Sequence, residues 1–206
     1  MISFFLIIRS RFFMQDSGMK KICKQNRRSE MKYAAGLIMV LCLMAVTAWA
    51  DPEMGCEPEK IVLEGKLGGH LDATPWSSDE FKGKVSVLFY VDPDVKDLNN
   101  DASEALKKEN FSLEKYQSFA IINMAATWLP NFAISSSLRE KQKRYPSTIY
   151  VRDFKKVLVK KWRLSDNNNN VLAFDKQGKL IFRKDGRLEQ KDIRKLIRAI
   201  RAHLDK

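Results

Sequence analysis

The chain has 206 residues and a formal net charge of +12. Residues 1–50 hold eight of its 37 Lys and Arg side chains and two of its 25 Asp and Glu, so the remainder carries a net +6. That mild excess favours anionic neighbours and is too small to be a nucleic-acid signature.

From Met31 the chain reads MKYAAGLIMVLCLMAVTAWA. Lys32, an unbroken apolar run and the small-x-small end Ala48-Trp49-Ala50 fit a secretory signal cut between Ala50 and Asp51. The run is near the lower length limit for a membrane-spanning helix, and its Ala-x-Ala end favours cleavage over an uncleaved anchor. Neither Cys42 nor Cys56 follows Leu and two small residues, so no lipid-modified cysteine is expected. Residues 1–30 precede this signal and are expected to be an upstream extension from a misassigned start, with Met31 the true one. Residues 51–206 then form a single periplasmic domain, about the usual size for one core.

Within that domain Ile61 to Leu67, a Gly68-Gly69 turn and His70 to Trp76 predict a β-hairpin. Val85 to Val91 is nearly all apolar, as in a strand buried on both faces of a parallel sheet. Asp101 with Glu104 reads as a capping box opening a helix through Lys108. Phe119 to Ala126 predicts a strand, Ser135 to Arg144 a helix ending before Pro146, and Ser147 to Asp153 a strand. A basic segment, Lys155 to Arg163, can pack Val157, Leu158 and Trp162 inward. Asn170 to Asp175, a turn at Lys176-Gln177-Gly178 and Lys179 to Lys184 predict a second hairpin. The last helix, Glu189 to Leu204, sets Ile193, Leu196, Ile197, Ile200 and Leu204 on one face. Alternating strands and helices ending in a hairpin imply an α/β domain, a mixed sheet with helices on both faces.

That order, with GKVSVLFYV before the first helix and NVLAFDKQGKLIFRKDG before the last, resembles the thioredoxin-like fold in its periplasmic, peroxiredoxin-related branch. The segments TPWSSDEFKGKVSVL, KRYPSTIYVRDFKKVLVKKWRLSDNNNNVLAFDKQGKLIFRKDG and LEQKDIRKLI resemble the YtfJ family of small exported bacterial proteins, over about Gly65 to Ile200. The resemblance implies the fold and supplies no catalytic residue. The transcriptional-regulator label used for some members fits poorly, because no helix-turn-helix pattern is present.

A redox enzyme of this fold places a low-pKa cysteine at the N-terminus of the helix after the central strand. Aligning strand ends puts Asp92-Pro93-Asp94 there, and carboxylates cannot attack a disulfide. The fold's cis-proline falls near Asn169, and a non-proline cis bond costs about 2.5–4 kcal/mol. Asp92, Asp94 and Asn169 are therefore the candidate ligand-binding residues, at vacated redox positions, although acidic groups beside a helix N-terminus also favour its dipole.

Other chemistry fits less well. An EF-hand loop counted from Asp92 would find Lys96, Asp97 and Ser103 where it needs an oxygen ligand, glycine and glutamate. His70, His203 and Cys56 lie too far apart in sequence to suggest zinc, and no metal or cofactor is expected. Ser135-Ser136-Ser137 reads as helix capping, with no G-x-S-x-G elbow. Cys56 is the only cysteine after the signal, so an intramolecular disulfide is excluded. The leading expectation is a non-redox binding or adaptor protein of the cell envelope, not an enzyme. Its partner would be an envelope protein or an anionic ligand, without nucleic acid and, after signal cleavage, without membrane. The alternative is a Cys56-dependent peroxidase or thiol-disulfide enzyme using an external thiol. Basic clusters at Arg139 to Arg144, Lys155 to Arg163 and the last helix are solvated faces unless two of them merge into an anion site.

Overall fold

A computed structural model describes residues 51–205. The signal segment and Ala50 lie outside the described residues, and Asp51 is the first of them.

The centre is a six-stranded mixed sheet. Its strands are β2 (Gly68–His70), β4 (Val85–Val91), β5 (Tyr116–Asn123), β6 (Thr148–Asp153), β7 (Asn169–Phe174) and β8 (Leu180–Asp185), in spatial order β2-β6-β5-β4-β7-β8. β4, β5 and β6 are parallel, and β2, β7 and β8 are antiparallel to their neighbours. A separate two-stranded antiparallel ladder joins β1 (Val62–Leu63) to β3 (Trp76–Ser77). Four helices follow in chain order: α1 (Asn100–Glu109), α2 (Asn131–Arg144), α3 (Val157–Trp162) and α4 (Gln190–Leu204).

Strand alternation divides the core between the two faces. On one face Leu88, Tyr90, Phe119, Ile121, Leu172 and Phe174 pack beneath the β1–β3 ladder and α3. Phe81 stacks on Phe174 at 4.4 Å between ring centroids and meets Phe119 edge-on at 4.9 Å. On the other face Val85, Val87, Val171 and Ala173 take Ala102 and Leu106 of α1 and Ile193, Leu196 and Ile200 of α4. Ile134 and Leu138 of α2 close the remaining part over Ile122 and Tyr150. Full burial of such a side chain stabilises by about 1.5–3 kcal/mol. The central strand reads as nearly all apolar because both its faces are covered.

Three local expectations change. The N-terminal antiparallel pairing is present, but Gly68-Gly69 is not its turn: both glycines lie in β2, opposite Asp153 and Arg152. A Cβ on Gly68 (φ 147°) would sit 1.9 Å from the Arg152 carbonyl oxygen, so the close approach of two backbones requires glycine there. The first helix is entered at Asn99 rather than by an Asp101–Glu104 box. The Asn99 side chain instead donates to Gly186 O at 3.0 Å and accepts from Leu188 N–H at 2.8 Å, tying α1 to the connection after β8. The strand read from Phe119 begins at Tyr116 and ends at Asn123, and the helix read from Ser135 begins at Asn131.

Candidate functional site

β4 delivers Asp92 to the C-terminal end of the parallel strands, where α/β folds place their ligand sites. Val91 pairs with Asn169 across β4 and β7, so the two vacated positions are neighbours in the structure. The Asp92 N–H donates to Asn168 O at 3.0 Å, extending that ladder by one step. Asp92 then turns the chain: its Oδ1 accepts from Asp94 N–H at 2.8 Å and its carbonyl from Val95 N–H at 3.1 Å. Pro93 opens this single 3-10 turn, a position where no N–H is needed. Asp94 stays exposed and accepts from the Thr127 hydroxyl at 2.9 Å.

Asn169 is buried, and among the described residues no peptide bond is cis. Its N–H donates to Asn168 Oδ1 at 2.9 Å and its carbonyl accepts from Gly186 N–H at 3.0 Å. The backbone of the corner is thus closed by its own hydrogen bonds, whereas the buried Asn169 Oδ1 has no partner among the described residues. Its two carboxylates serve the turn that carries them and the adjoining loop.

Behind the corner lies a polar cluster absent from the sequence reading. Tyr90, Asn123, Asp153 and Asn170 stand at the ends of four adjacent strands and are all buried. Asp153 is saturated: one carboxylate oxygen accepts from the N–H groups of Lys155 at 3.1 Å and Val157 at 2.9 Å. The other accepts from the Leu158 N–H and the Tyr90 hydroxyl, each at 3.1 Å. Gathering those N–H groups starts α3 and bends Lys156 into the left-handed region at φ 55°. Lys156 in turn binds Asp166 at 2.8 Å, and Asp166 also accepts from Asn123 Nδ2 at 3.2 Å.

These charges act on one another. Burial, then the nearby Asp153 carboxylate, pushes the Tyr90 phenol far above its ordinary value, so it remains a proton donor. Burial, reinforced by Asp94 and Asp166, raises Asp92 against the opposing pull of its bond from Asp94 N–H and of Lys156. Asp166 is pushed up by burial, but the hydrogen bond from Lys156, with that from Asn167 N–H, outweighs it and leaves the carboxyl below the usual range.

Cys56 is exposed and lies elsewhere. Its carbonyl accepts from Leu180 N–H at 2.9 Å, at the start of β8, whereas Asp92 neighbours the far end of β7. The run of β7 from Asn169 to Phe174 separates the two by about 17 Å along the sheet. His70 bonds Glu80 at 3.1 Å, and His203 bonds its own helix at Ala199 O. Among the described residues, no group of three or more His, Cys, Asp or Glu side chains is placed to hold a metal ion.

A mixed sheet of this order, with an antiparallel β-hairpin after parallel βαβ units, is a thioredoxin-like domain. The solved structure of a thiol-disulfide isomerase from Corynebacterium glutamicum shares it at a TM-score of 0.51 and 14% identity, over 71% of this chain and 97% of that one. The thioredoxin domain of a thiol-disulfide oxidoreductase from Bacteroides vulgatus matches at a TM-score of 0.52 and 16% identity, over 71% and 96%. At such identities the likeness is one of fold. The chain belongs to the family described as "Bacterial protein of unknown function (YtfJ_HI0045)", whose model matches residues 60–203. An uncharacterized protein of Haemophilus influenzae is 31% identical over 142 residues, 67% of this chain and 75% of that protein. The uncharacterized protein YtfJ of Escherichia coli is 28% identical over 126 residues, 59% of this chain and 68% of that one.

Proposed function

We propose that this protein is a periplasmic binding or adaptor protein of the cell envelope that uses a thioredoxin-like scaffold without thiol-disulfide chemistry. The observation that carries the reading is the corner itself, where an Asp92-Pro93-Asp94 turn closed by its own hydrogen bonds replaces a nucleophile. A thiolate is the species that attacks a disulfide. The one cysteine among the described residues stands at the other end of the sheet, away from the strand ends that position a reacting group. The same distance weighs against Cys56 as a peroxidase of this fold. Export rests on the small-x-small end at Ala50 and implies a mature chain beginning at Asp51. An envelope protein or an anionic ligand remains the partner.

The test is a disulfide-reduction assay on purified protein with an external thiol as electron source. No turnover above the uncatalysed rate is expected. Turnover lost in Cys56→Ser would overturn the reading. Mass spectrometry of the protein recovered from the periplasm checks the N-terminus independently.

A further inference from the structure

The surface beside the closed corner carries an unusual combination of side chains. After β5 the chain passes Thr127, which holds Asp94, and then presents Trp128 at 86% exposure and Phe132 at 77%. These are the most exposed large hydrophobics among the described residues, and the other two tryptophans described are fully buried. Single exposed apolar residues need no explanation, but two such aromatics four residues apart at the entry to α2 mark a contact surface.

Phe132 and Arg139 are seven residues apart on α2, so they share one side of the helix. Gln142 of that helix donates to Thr148 O at 2.9 Å, fixing α2 to the start of β6. In a βαβ unit the helix runs against the strand direction, so one turn back from Gln142 the helix lies over the later residues of β6. That places Arg139 beside Arg152. Arg152 is held by Nη2 donating to His70 O at 2.6 Å and by its guanidinium over the Phe154 ring at 5.5 Å. Its Nε is buried with no partner, and Arg139 makes no hydrogen bond or ion pair among the described residues.

The Arg139 and Arg152 guanidinium charges thus lie close enough to repel each other, with the Asp72 carboxylate also in range of Arg152. The Arg152 pKa is lowered by burial and next by the Arg139 charge, with Asp72 opposing. Asp72 accepts from the Thr74 hydroxyl at 2.6 Å and the Thr74 N–H at 3.0 Å, bonds that hold its carboxyl below the ordinary value and keep it negatively charged. Asp72 also lines an open groove of about 430 Å³ together with Leu71, Thr74, Gln142 and Tyr150.

We infer that this shoulder binds an acidic segment of an envelope protein, a carboxylate bridging Arg139 and Arg152 and a neighbouring apolar side chain covering Trp128 and Phe132. Arg139 is suited to this because the planar fork of an arginine meets a carboxylate with two parallel hydrogen bonds. A carboxylate also relieves the repulsion between the two cations, and the aromatics give the area that a lone ion pair lacks. The inference rests on the proposed binding role and names its partner's chemistry.

The probe is a fluorescent peptide of alternating Glu and Phe, titrated with the purified protein and followed by anisotropy and by tryptophan emission. Saturable binding with a blue shift that disappears in Trp128→Ser is expected. Arg139→Glu is expected to weaken binding by about tenfold or more, about 1.4 kcal/mol for each tenfold. Lys141→Glu makes the same charge change on the opposite flank of α2 and is expected to shift affinity by less than about threefold, as screened surface charges do. Equal losses in the two variants would reduce the effect to net charge and overturn the inference. Displacement by inorganic phosphate at the same midpoint as free peptide would assign the site to small anions and overturn it. So would binding to phosphatidylglycerol vesicles with no peptide binding, or self-association abolished by Arg139→Glu. The binding role itself fails in the disulfide assay, in which Arg139 and Trp128 take no part, so the two failures are distinguishable.

Discussion

The phenol of Tyr90 on β4 donates to the carboxylate of Asp153 on β6 at 3.1 Å, passing over the intervening strand β5. Asp153 is the hub of that contact, since it also holds the backbone N–H groups of Lys155, Val157 and Leu158. Tyr90→Phe leaves both carboxylate oxygens bonded and is expected to cost about 1 kcal/mol. Asp153→Ala strands the buried donors at the start of α3 and is expected to cost about 3 kcal/mol or more. Urea unfolding of the two variants measures the difference, and equal losses would deny Asp153 its role as hub.

Asp92 gives a pH dependence whose sign follows from burial. Its pKa is raised in the folded protein, so the fold favours the neutral acid and penalises the carboxylate. Below the unfolded-chain value of about 3.9 the group is protonated in both states and that penalty is absent. Stability contributed by the neutral form is lost as pH rises through the raised folded value. Asp92→Asn keeps a side-chain oxygen for the Asp94 N–H and removes the charge. It is expected to raise the urea midpoint at neutral pH, by an increment that contracts towards about pH 4. A lower midpoint at neutral pH would show that the carboxylate is wanted.

Gly68→Ala tests the junction of β2 with β6. The added methyl meets the Arg152 carbonyl oxygen at 1.9 Å, and backbone cannot swing aside as a side chain can. A loss of about 2–3 kcal/mol is expected. Gly83 also has a positive φ, 88°, but open space around its Cβ position, so Gly83→Ala is expected to cost only about 1 kcal/mol. Thermal melts of both variants separate steric clash from dihedral preference.

Cys56 is expected to react completely with a thiol reagent in native buffer, without denaturant, because its side chain is exposed. Cys56→Ser is expected to change stability by no more than about 0.5 kcal/mol. A thiol that became accessible only in urea would place Cys56 in a contact that shields it.

The parts of the fold that were legible share one property: their pattern is local. Val85–Val91 reads as a doubly covered strand and Gln190–Leu204 as a one-faced helix because neighbouring residues state the burial themselves. Gly68-Gly69 misleads because a turn and a tight strand approach demand the same residue for the same steric reason. Asp101 and Glu104 have the spacing of a capping box, but Asn99, one residue before α1, serves a loop 87 to 89 residues away. The corner of Asp92, Asp94 and Asn169 could be placed by aligning strand ends. The cluster behind it could not, because Tyr90, Asn123, Asp153 and Asp166 come from separate segments and nothing in their spacing marks them as partners. The one available clue was Asn123 and Asp153 closing their strands directly after, or one residue beyond, apolar runs.

The two rims of the sheet differ in how they end it. β2 offers only three residues, two of them glycine, and is too brief a template for another chain to extend. β8 is longer, but residues 55 and 56 lie against its first step, where Gly55 N–H reaches Leu180 O at 2.7 Å, and Arg183, Lys184 and Asp185 charge its other end. A chain built this way can hold contiguous Val, Ile and Phe at its centre and still resist strand-by-strand growth into fibrils at high concentration.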